Sequence, residues 1–427
     1  MADQKTAGQK KDGTVIGCGE KGMRTKTISQ NKTDDRIWNV AFTSVFIANC
    51  MLYLGEQMVQ TLVTSYAKSL GATEVIIGVV GSAFALTAIL FKVISAPAID
   101  TYNKKYILCG AMLVIFTSCL GYSFAKSVPV VFGFRLLQGA GKAFTATCCL
   151  AMATDALPPS KLGQGIGIFS LAQAMCQAIA PTIGKFIQSH FGFQMTFLTS
   201  AACLLIGAIC ALNIRNEFTR TKKFRISLDS MFAKDAVIPA AALFSLSLCF
   251  SLINSFLFIY AGEKLDETQY AYIGFYFTIY AGTLLFTRPM VGKLSDKYGT
   301  VKVVIPAMLA FALSFYLLSA ASNVLMFFLA AFVSAFGYGA CQPALNALGM
   351  RMVGKDRRGA ASCTNYIGTD LGQLLGPTLG GFVVSLVGYS AMWSVMTVSM
   401  YCGVAIMLVF RKRITAFDKA YRMRVNT

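Results

Sequence analysis

Between residues 38 and 410 the sequence runs apolar again and again for about 20 residues or more, the length a helix needs to cross the hydrocarbon of a bilayer. The stretches cover residues 38 to 67, 74 to 99, 105 to 126, 128 to 153, 163 to 187, 194 to 214, 236 to 262, 270 to 292, 301 to 321, 324 to 350, 359 to 387 and 391 to 410. A chain with so many such runs has few choices, because in lipid every backbone N–H and C=O must be satisfied within its own helix or in a closed barrel. An all-α membrane protein with twelve transmembrane helices is expected. Composition agrees: 56% of the 427 residues are apolar and 13% are charged, against about 25% charged in soluble domains. The first 36 residues are polar and show no cleavable signal, so the first apolar run should persist as a helix.

The net charge is +19, from 38 basic and 19 acidic residues. In a soluble protein that excess would suggest nucleic acid, so its placement matters. Thirty basic residues fall in residues 1 to 37, 100 to 105, 154 to 162, 215 to 235, 293 to 302, 351 to 358 and 411 to 427. The opposite loops hold only Lys68, Lys126, Lys185 and Lys264. This is the positive-inside pattern, which puts both termini in the cytoplasm and uses the excess charge for orientation. The expected setting is the plasma membrane, the cytoplasmic membrane of a bacterium, with a lipid bilayer around a monomer. No aromatic residues interleave with the tail charges, so no nucleic-acid partner is expected. Of the 13 cysteines all but Cys18 lie in or at the edge of apolar runs, and none has metal-ligand spacing with the single His190. They read as small core hydrophobes, and no metal is expected.

A shift of 196 residues aligns the two halves of the chain without a gap over about one hundred residues, at an orientation that keeps each half the same way up. Asp100 falls on Asp296, Gly141 on Gly337, Lys161 on Arg357, Gly163 on Gly359, Pro181 on Pro377, Gly184 on Gly380 and Gly192 on Gly388. Such a parallel repeat implies two six-helix bundles related by an axis along the membrane normal, one of the architectures of secondary transporters. The expected organisation is a cytoplasmic tail over residues 1 to 37, a bundle over 38 to 214, a basic linker over 215 to 235, a second bundle over 236 to 410 and a cytoplasmic tail over 411 to 427.

Within the fourth span, "RLLQGAGKAFT" places glycines before a lysine like half of a phosphate-binding loop. Leu136 and Ala143 stand where that loop needs Gly and Ser or Thr, so the loop reading fails. Four ionisable residues lie well inside spans: Glu56, Arg135, Lys142 and Asp370. Each costs on the order of 2.5 to 3.5 kcal/mol at a helix centre and by default marks a transport pathway. Helical spacing groups them with polar neighbours. Asn49, Tyr53, Glu56, Gln57 and Gln60 form one stripe, and Arg135, Gln138 and Lys142 a second. Gln173 and Gln177 form a third, and Tyr366, Asp370 and Gln373 a fourth. All four should face one watery cavity. Counting depth at about 1.5 Å per residue sets Glu56 level with Arg135, and Asp370 level with Lys142, giving two expected acid–base pairs. Lys92 and Arg288, equivalent across the repeat, read as snorkelling or loop-pairing charges near the cytoplasmic ends of their helices, away from substrate. Tyr272, Tyr276 and Tyr280 share one side of the eighth span and, with Asn254, are candidates to wall an organic substrate.

The sequence resembles the major facilitator superfamily, and within it the twelve-helix drug and metabolite:proton antiporters. "GKLSDKYGTVK" matches the family's loop motif after the eighth span through Gly292, Asp296, Lys297, Gly299 and Lys302. "APAIDTYNKK" is its first-half counterpart and keeps Asp100, Lys104 and Lys105, with Ala96 and Asn103 where the family prefers Gly. "RLLQGAGKA" resembles the motif of proton-coupled members in the fourth span, with Arg135, Gln138, Gly139 and Gly141 in register and Lys142 at a usually small position. In the fifth span Pro181 and Gly184 match the antiporter motif, while Cys176, Ala180 and Lys185 replace glycines.

The resemblance implies proton-coupled efflux of a small organic compound by alternating access, with no cofactor beyond the coupling proton. Glu56 and Asp370 would carry protons, Arg135 and Lys142 would be their partners or contacts for a substrate anion, and the Asp100 and Asp296 loops would gate. Two cavity cations leave open an importer or uniporter of an anionic or zwitterionic nutrient. No Ser/His/Asp or Cys/His arrangement suggests an enzyme.

Overall fold

A computed structural model describes residues 37 to 158, 162 to 214, 232 to 353 and 357 to 426. Every regular element among them is helical. The residues of the N-terminal tail before Ile37, and most of the expected linker, lie outside the described residues.

The first helix, α1 (Val40–Ser69), opens at Asn39, whose side chain accepts from the Phe42 N–H at 2.8 Å and donates to the Ala156 carbonyl at 2.7 Å. This satisfies one orphan donor of the first turn and ties α1 to the end of α4. There follow α2 (Glu74–Thr101), α3 (Lys104–Phe124) and α4 (Val128–Ala156). The next helix, α5 (Leu162–Leu212), is two helices joined at Gly192, where φ is 82°. Then come α6 (Val237–Lys264), the short α7 (Glu267–Ala271), α8 (Phe275–Tyr298) and α9 (Thr300–Ser319). After α10 (Val324–Ser334) a π-helical turn, Ala335–Gly339, leads into α11 (Ala340–Arg351). The long α12 (Arg358–Val409) is again two helices, joined at Gly388 with φ 79°. A Cβ built at Gly192 or Gly388 would meet nothing within 4 Å, so the backbone conformation alone demands glycine at both joints. The two joints are equivalent under the sequence repeat.

Seven helical runs among the described residues are long and apolar enough to cross a membrane. Two of these, Ile168–Leu212 and Ala360–Val409, are the kinked pairs. By contrast α1, α4 and α8 are not among the seven, and these carry many of the polar side chains described below.

Buried apolar residues form two large clusters. One draws on residues from Phe42 to Ile214, the other on Ile238 to Ile414 with Leu62 and Ile77 added. Between them α2 packs against α12, α5 against α8 and α1 against α6.

The segment expected as a C-terminal tail is helical. Residues Arg411–Asn426 form a helix, α13, with Ile414 buried against the second cluster. The Asp418 carboxylate accepts from the Thr300 N–H at 2.8 Å and lies 3.9 Å from Arg351. One acid thus satisfies the start of α9 and answers a cation, and neither partner is legible from the composition of a basic tail.

Candidate functional site

A cavity of about 260 Å³ lies between the two sequence halves. Each half contributes helices with small residues at the contact. In the first half α4 lies so close to α2 that a Cβ at Gly139 would sit 2.0 Å from the Phe84 carbonyl oxygen. The glycines of "RLLQGAGKA" are therefore packing residues, which explains why a run resembling half of a phosphate loop occurs inside a helix.

On the first-half wall α1 supplies Tyr53, Glu56, Gln57 and Gln60, α2 supplies Phe84 and Lys92, α4 supplies Lys142 and α5 supplies Gln177. The second-half wall is made by Phe250 and Asn254 of α6, Phe277, Tyr280 and Arg288 of α8, Tyr338 of the π-helical turn, Gln342 of α11, and Tyr366, Asp370 and Gln373 of α12. A π-helical turn in mid-helix often marks a functional position, and this one places Tyr338 in the wall.

The ion pairs differ from those expected. Glu56 does not meet Arg135; its Oε2 lies 3.9 Å from Lys142 Nζ. Asp370 does not meet Lys142; its Oδ2 lies 2.6 Å from Lys92 Nζ. Lys92 is thus no snorkelling charge, and it sits 4.9 Å from the centre of the Tyr366 ring. Arg288 too lines the cavity instead of a loop. The depth count failed because it treats each helix as an independent ruler, whereas tilt and kinks set which levels meet.

Arg135 is fully buried and belongs to the scaffold. It donates to Gln138 Oε1 at 2.8 Å, to Gln60 Oε1 at 3.1 Å, and to the carbonyls of Val80 at 3.3 Å and Gly81 at 3.5 Å. The Phe84 ring lies 4.5 Å from its guanidinium. Gln138 in turn accepts from Tyr122 at 2.9 Å. A guanidinium with its donors so used is satisfied without a carboxylate, and it clamps α1 and α2 to α4.

Three other expected pocket residues are also packed away from the cavity. Gln173 donates to the fully buried Asn49 at 3.1 Å, and Tyr276 is buried. Tyr272 is exposed.

The expected gating residues fall inside or next to helices. Asp100 lies in α2, and Gly292, Asp296 and Lys297 lie in α8; the side chains of Asp100 and Asp296 are outside the described residues. Gly299 alone separates α8 from α9, with φ 102°. Lys104 and Lys105 open α3, and Lys104 pairs with Asp155 at 2.6 Å.

Apart from the Lys92–Asp370 pair, the polar contacts between the halves among the described residues gather toward the end remote from Val40. Lys68 pairs with Glu263 there. Ser82 bonds Thr378, and Thr182 bonds both Thr278 and the Gly274 carbonyl. Lys185 lies 3.9 Å from the centre of the Tyr270 ring.

Helices that cross a membrane around a polar, charged cavity define a membrane transporter. The profile of the Major Facilitator Superfamily matches residues 45–272 and 265–420, and the chain belongs to that superfamily. An MFS-type transporter of Methanocaldococcus jannaschii is 25% identical over 372 residues, 84% of this chain and 92% of that protein. The multi-drug resistance efflux pump PmrA of Streptococcus pneumoniae is 25% identical over 373 residues, 83% of this chain and 86% of that pump. The nucleoside transporter NupG shares the fold, with a TM-score of 0.75 at 14% identity over 87% of this chain and all of that one.

Of the residues named in the cavity wall, Lys92, Arg288, Phe84, Phe250, Phe277, Tyr338 and Gln342 escaped the sequence reading. For Lys92 and Arg288 a signal existed, since both are charges within apolar spans at equivalent repeat positions. For Phe84 and Tyr338 there was none, because an aromatic residue in a span is most often packing.

Proposed function

We propose that this chain is a proton-coupled exporter of a small organic compound, working by alternating access in which two six-helix bundles, twelve spans in all, rock about the cavity. The observation that carries the coupling is the setting of Glu56. It is 4% exposed, its one ion-pair partner among the described residues, Lys142, is 3.9 Å away, and its Oε1 has no hydrogen-bond partner among the described residues. A buried carboxylate so poorly compensated gains by taking a proton and loses it when water or a rearranged cation arrives. A group of that kind can couple proton loading to the access state. Export is supported by PmrA and by the multidrug resistance protein 2 of Bacillus subtilis, 23% identical over 380 residues.

In this scheme the termini are cytoplasmic, the protein is a monomer in the plasma membrane, and the contacts of Lys68, Ser82 and Thr182 close its outer side. The cavity would then be in its inward-facing state. Transport into sealed vesicles under an imposed pH gradient tests the reading: accumulation driven by an inside-acid gradient supports export by exchange, and transport indifferent to the gradient refutes the coupling. A second reading, import or facilitated entry of an anionic nutrient, draws on the excess of cations in the wall, Lys92, Lys142 and Arg288 against Glu56 and Asp370. The sign of the driven flux separates the two.

A further inference from the structure

The cavity wall is built in repeat-related pairs. A shift of 196 residues takes Phe84 to Tyr280, Lys92 to Arg288 and Gln177 to Gln373, and all six line the cavity. Contacts between the helices obey the same rule. Ser82 of α2 shares a hydrogen bond of 2.8 Å with Thr378 of α12. Their equivalents, Thr278 of α8 and Thr182 of α5, share one of 2.8 Å as well. Each bond pins two helices at a common level, so residues at equal distances from the two pins occupy corresponding places.

Ten residues past Ser82 stands Lys92, and eight before Thr378 stands Asp370; this is the ion pair of 2.6 Å. Ten residues past Thr278 stands Arg288, and eight before Thr182 stands Ala174, both in the cavity wall. The cation of the pair has been kept on this side and the carboxylate has become a methyl group. Arg288 makes no ion pair or hydrogen bond among the described residues, and its Nε is buried without a partner. The other two cations of the wall, Lys92 and Lys142, each face an acid. Aromatic rings share the wall with Arg288: Tyr280, Tyr338 and Phe250, the last two stacked at 4.0 Å between centroids. A guanidinium is the side chain best shaped to hold a carboxylate through two parallel hydrogen bonds, and stacked rings suit a flat apolar body beside it.

We propose that Arg288 binds a carboxylate carried by the substrate, in the place that corresponds to Asp370 across the repeat, and that the transported class is aromatic organic carboxylates. This rests on the cavity being the transport site, and it is independent of direction and of proton coupling.

The test is binding to the purified full-length protein, by thermal shift and calorimetry, of indole-3-acetate, its amide and tryptamine, with benzoate and benzamide as a smaller pair. The acids should bind about tenfold or more tightly than the amides. Arg288→Gln should abolish that preference, and Arg288→Lys should keep part of it. Ala174→Asp should also abolish it, by giving Arg288 an internal carboxylate, and should raise the thermal midpoint of the protein without ligand. Should Ala174→Asp fail to fold, Arg288→Gln still decides. Equal binding of acid and amide to the wild type, or a preference for the acid that survives Arg288→Gln, overturns the proposal. A preference for the acid in a protein that ignores a pH gradient would sink proton coupling and leave this assignment supported.

Discussion

Glu56 and Asp370 are both cavity carboxylates beside a lysine, yet their pairs are built on different plans. Glu56 and Lys142 belong to the same half of the chain, on α1 and α4, and stand 3.9 Å apart. Asp370 and Lys92 belong to opposite halves, on α12 and α2, and stand 2.6 Å apart. If the halves move as units, the first pair travels together and keeps its geometry, while the second must stretch or part. The exposure differs in the same sense, with side chains 5% and 15% accessible for Glu56 and Asp370. A loose, buried pair within one half suits a group that changes protonation. A tight pair across the divide suits a latch whose strength sets the balance of access states. On the proposed cycle, carboxylates that look alike in the sequence thus divide into separate roles by who their partners are and where those partners are anchored.

The largest effect expected is that of Glu56→Gln, which removes the titrating group and keeps its size. Gradient-driven accumulation in proteoliposomes should fall to the level of empty vesicles while exchange of substrate across the membrane persists. Driven transport at the wild-type rate would break the division of roles at its first half.

Next in size is the loss of the latch. Lys92→Met or Asp370→Asn should leave gradient dependence detectable and change the balance of access states several-fold, within the range of up to about 2 kcal/mol that a partly exposed pair of this kind carries. Cysteine labelling at the end of the cavity remote from Val40 reads this balance, and the swapped double variant Lys92→Asp with Asp370→Lys should recover part of it. If Asp370→Asn abolishes gradient-driven transport as completely as Glu56→Gln does, the two acids share one role and the comparison fails.

A smaller change is expected at Lys142. Lys142 is the ion-pair partner of Glu56 at 3.9 Å, so Lys142→Met should alter the pH dependence of transport, by less than Glu56→Gln does. The same substitution should leave labelling at the remote end unchanged. An unaltered pH profile would show that Glu56 does not feel Lys142.

The smallest effect tests whether burial alone makes a proton carrier. Asp418 is as buried as Glu56, at 4% exposure, but its oxygens accept from the N–H and hydroxyl of Thr300 at 2.8 and 3.2 Å. Asp418→Ala removes the acceptor of the Thr300 N–H at the start of α9 and should cost about 1 kcal/mol of stability. Coupling should be untouched. A loss of coupling here would imply that α13 takes part in the cycle.

Much of this molecule follows from the order of its residues. The length of the apolar runs requires helices, since no other open structure satisfies a backbone in lipid. The repeat pairs Gly192 with Gly388, and both prove to be joints at positive φ, because only glycine enters that conformation without strain. Charges within spans point toward the cavity, since lipid offers them no solvation; Glu56, Lys142 and Asp370 line it. What one helix cannot specify is its neighbour. Spacing says which residues share a face, and counting says roughly how deep they lie. The tilt of α4 against α1, the close approach at Gly139 and the crossing of α2 over α12 decide which faces and depths meet. Those choices gave Lys142 to Glu56 and Lys92 to Asp370, and buried Arg135 among amides and carbonyls. They also left Arg288 in the cavity wall without an ion pair among the described residues, because an ion pair is a property of two surfaces brought together and only packing brings them.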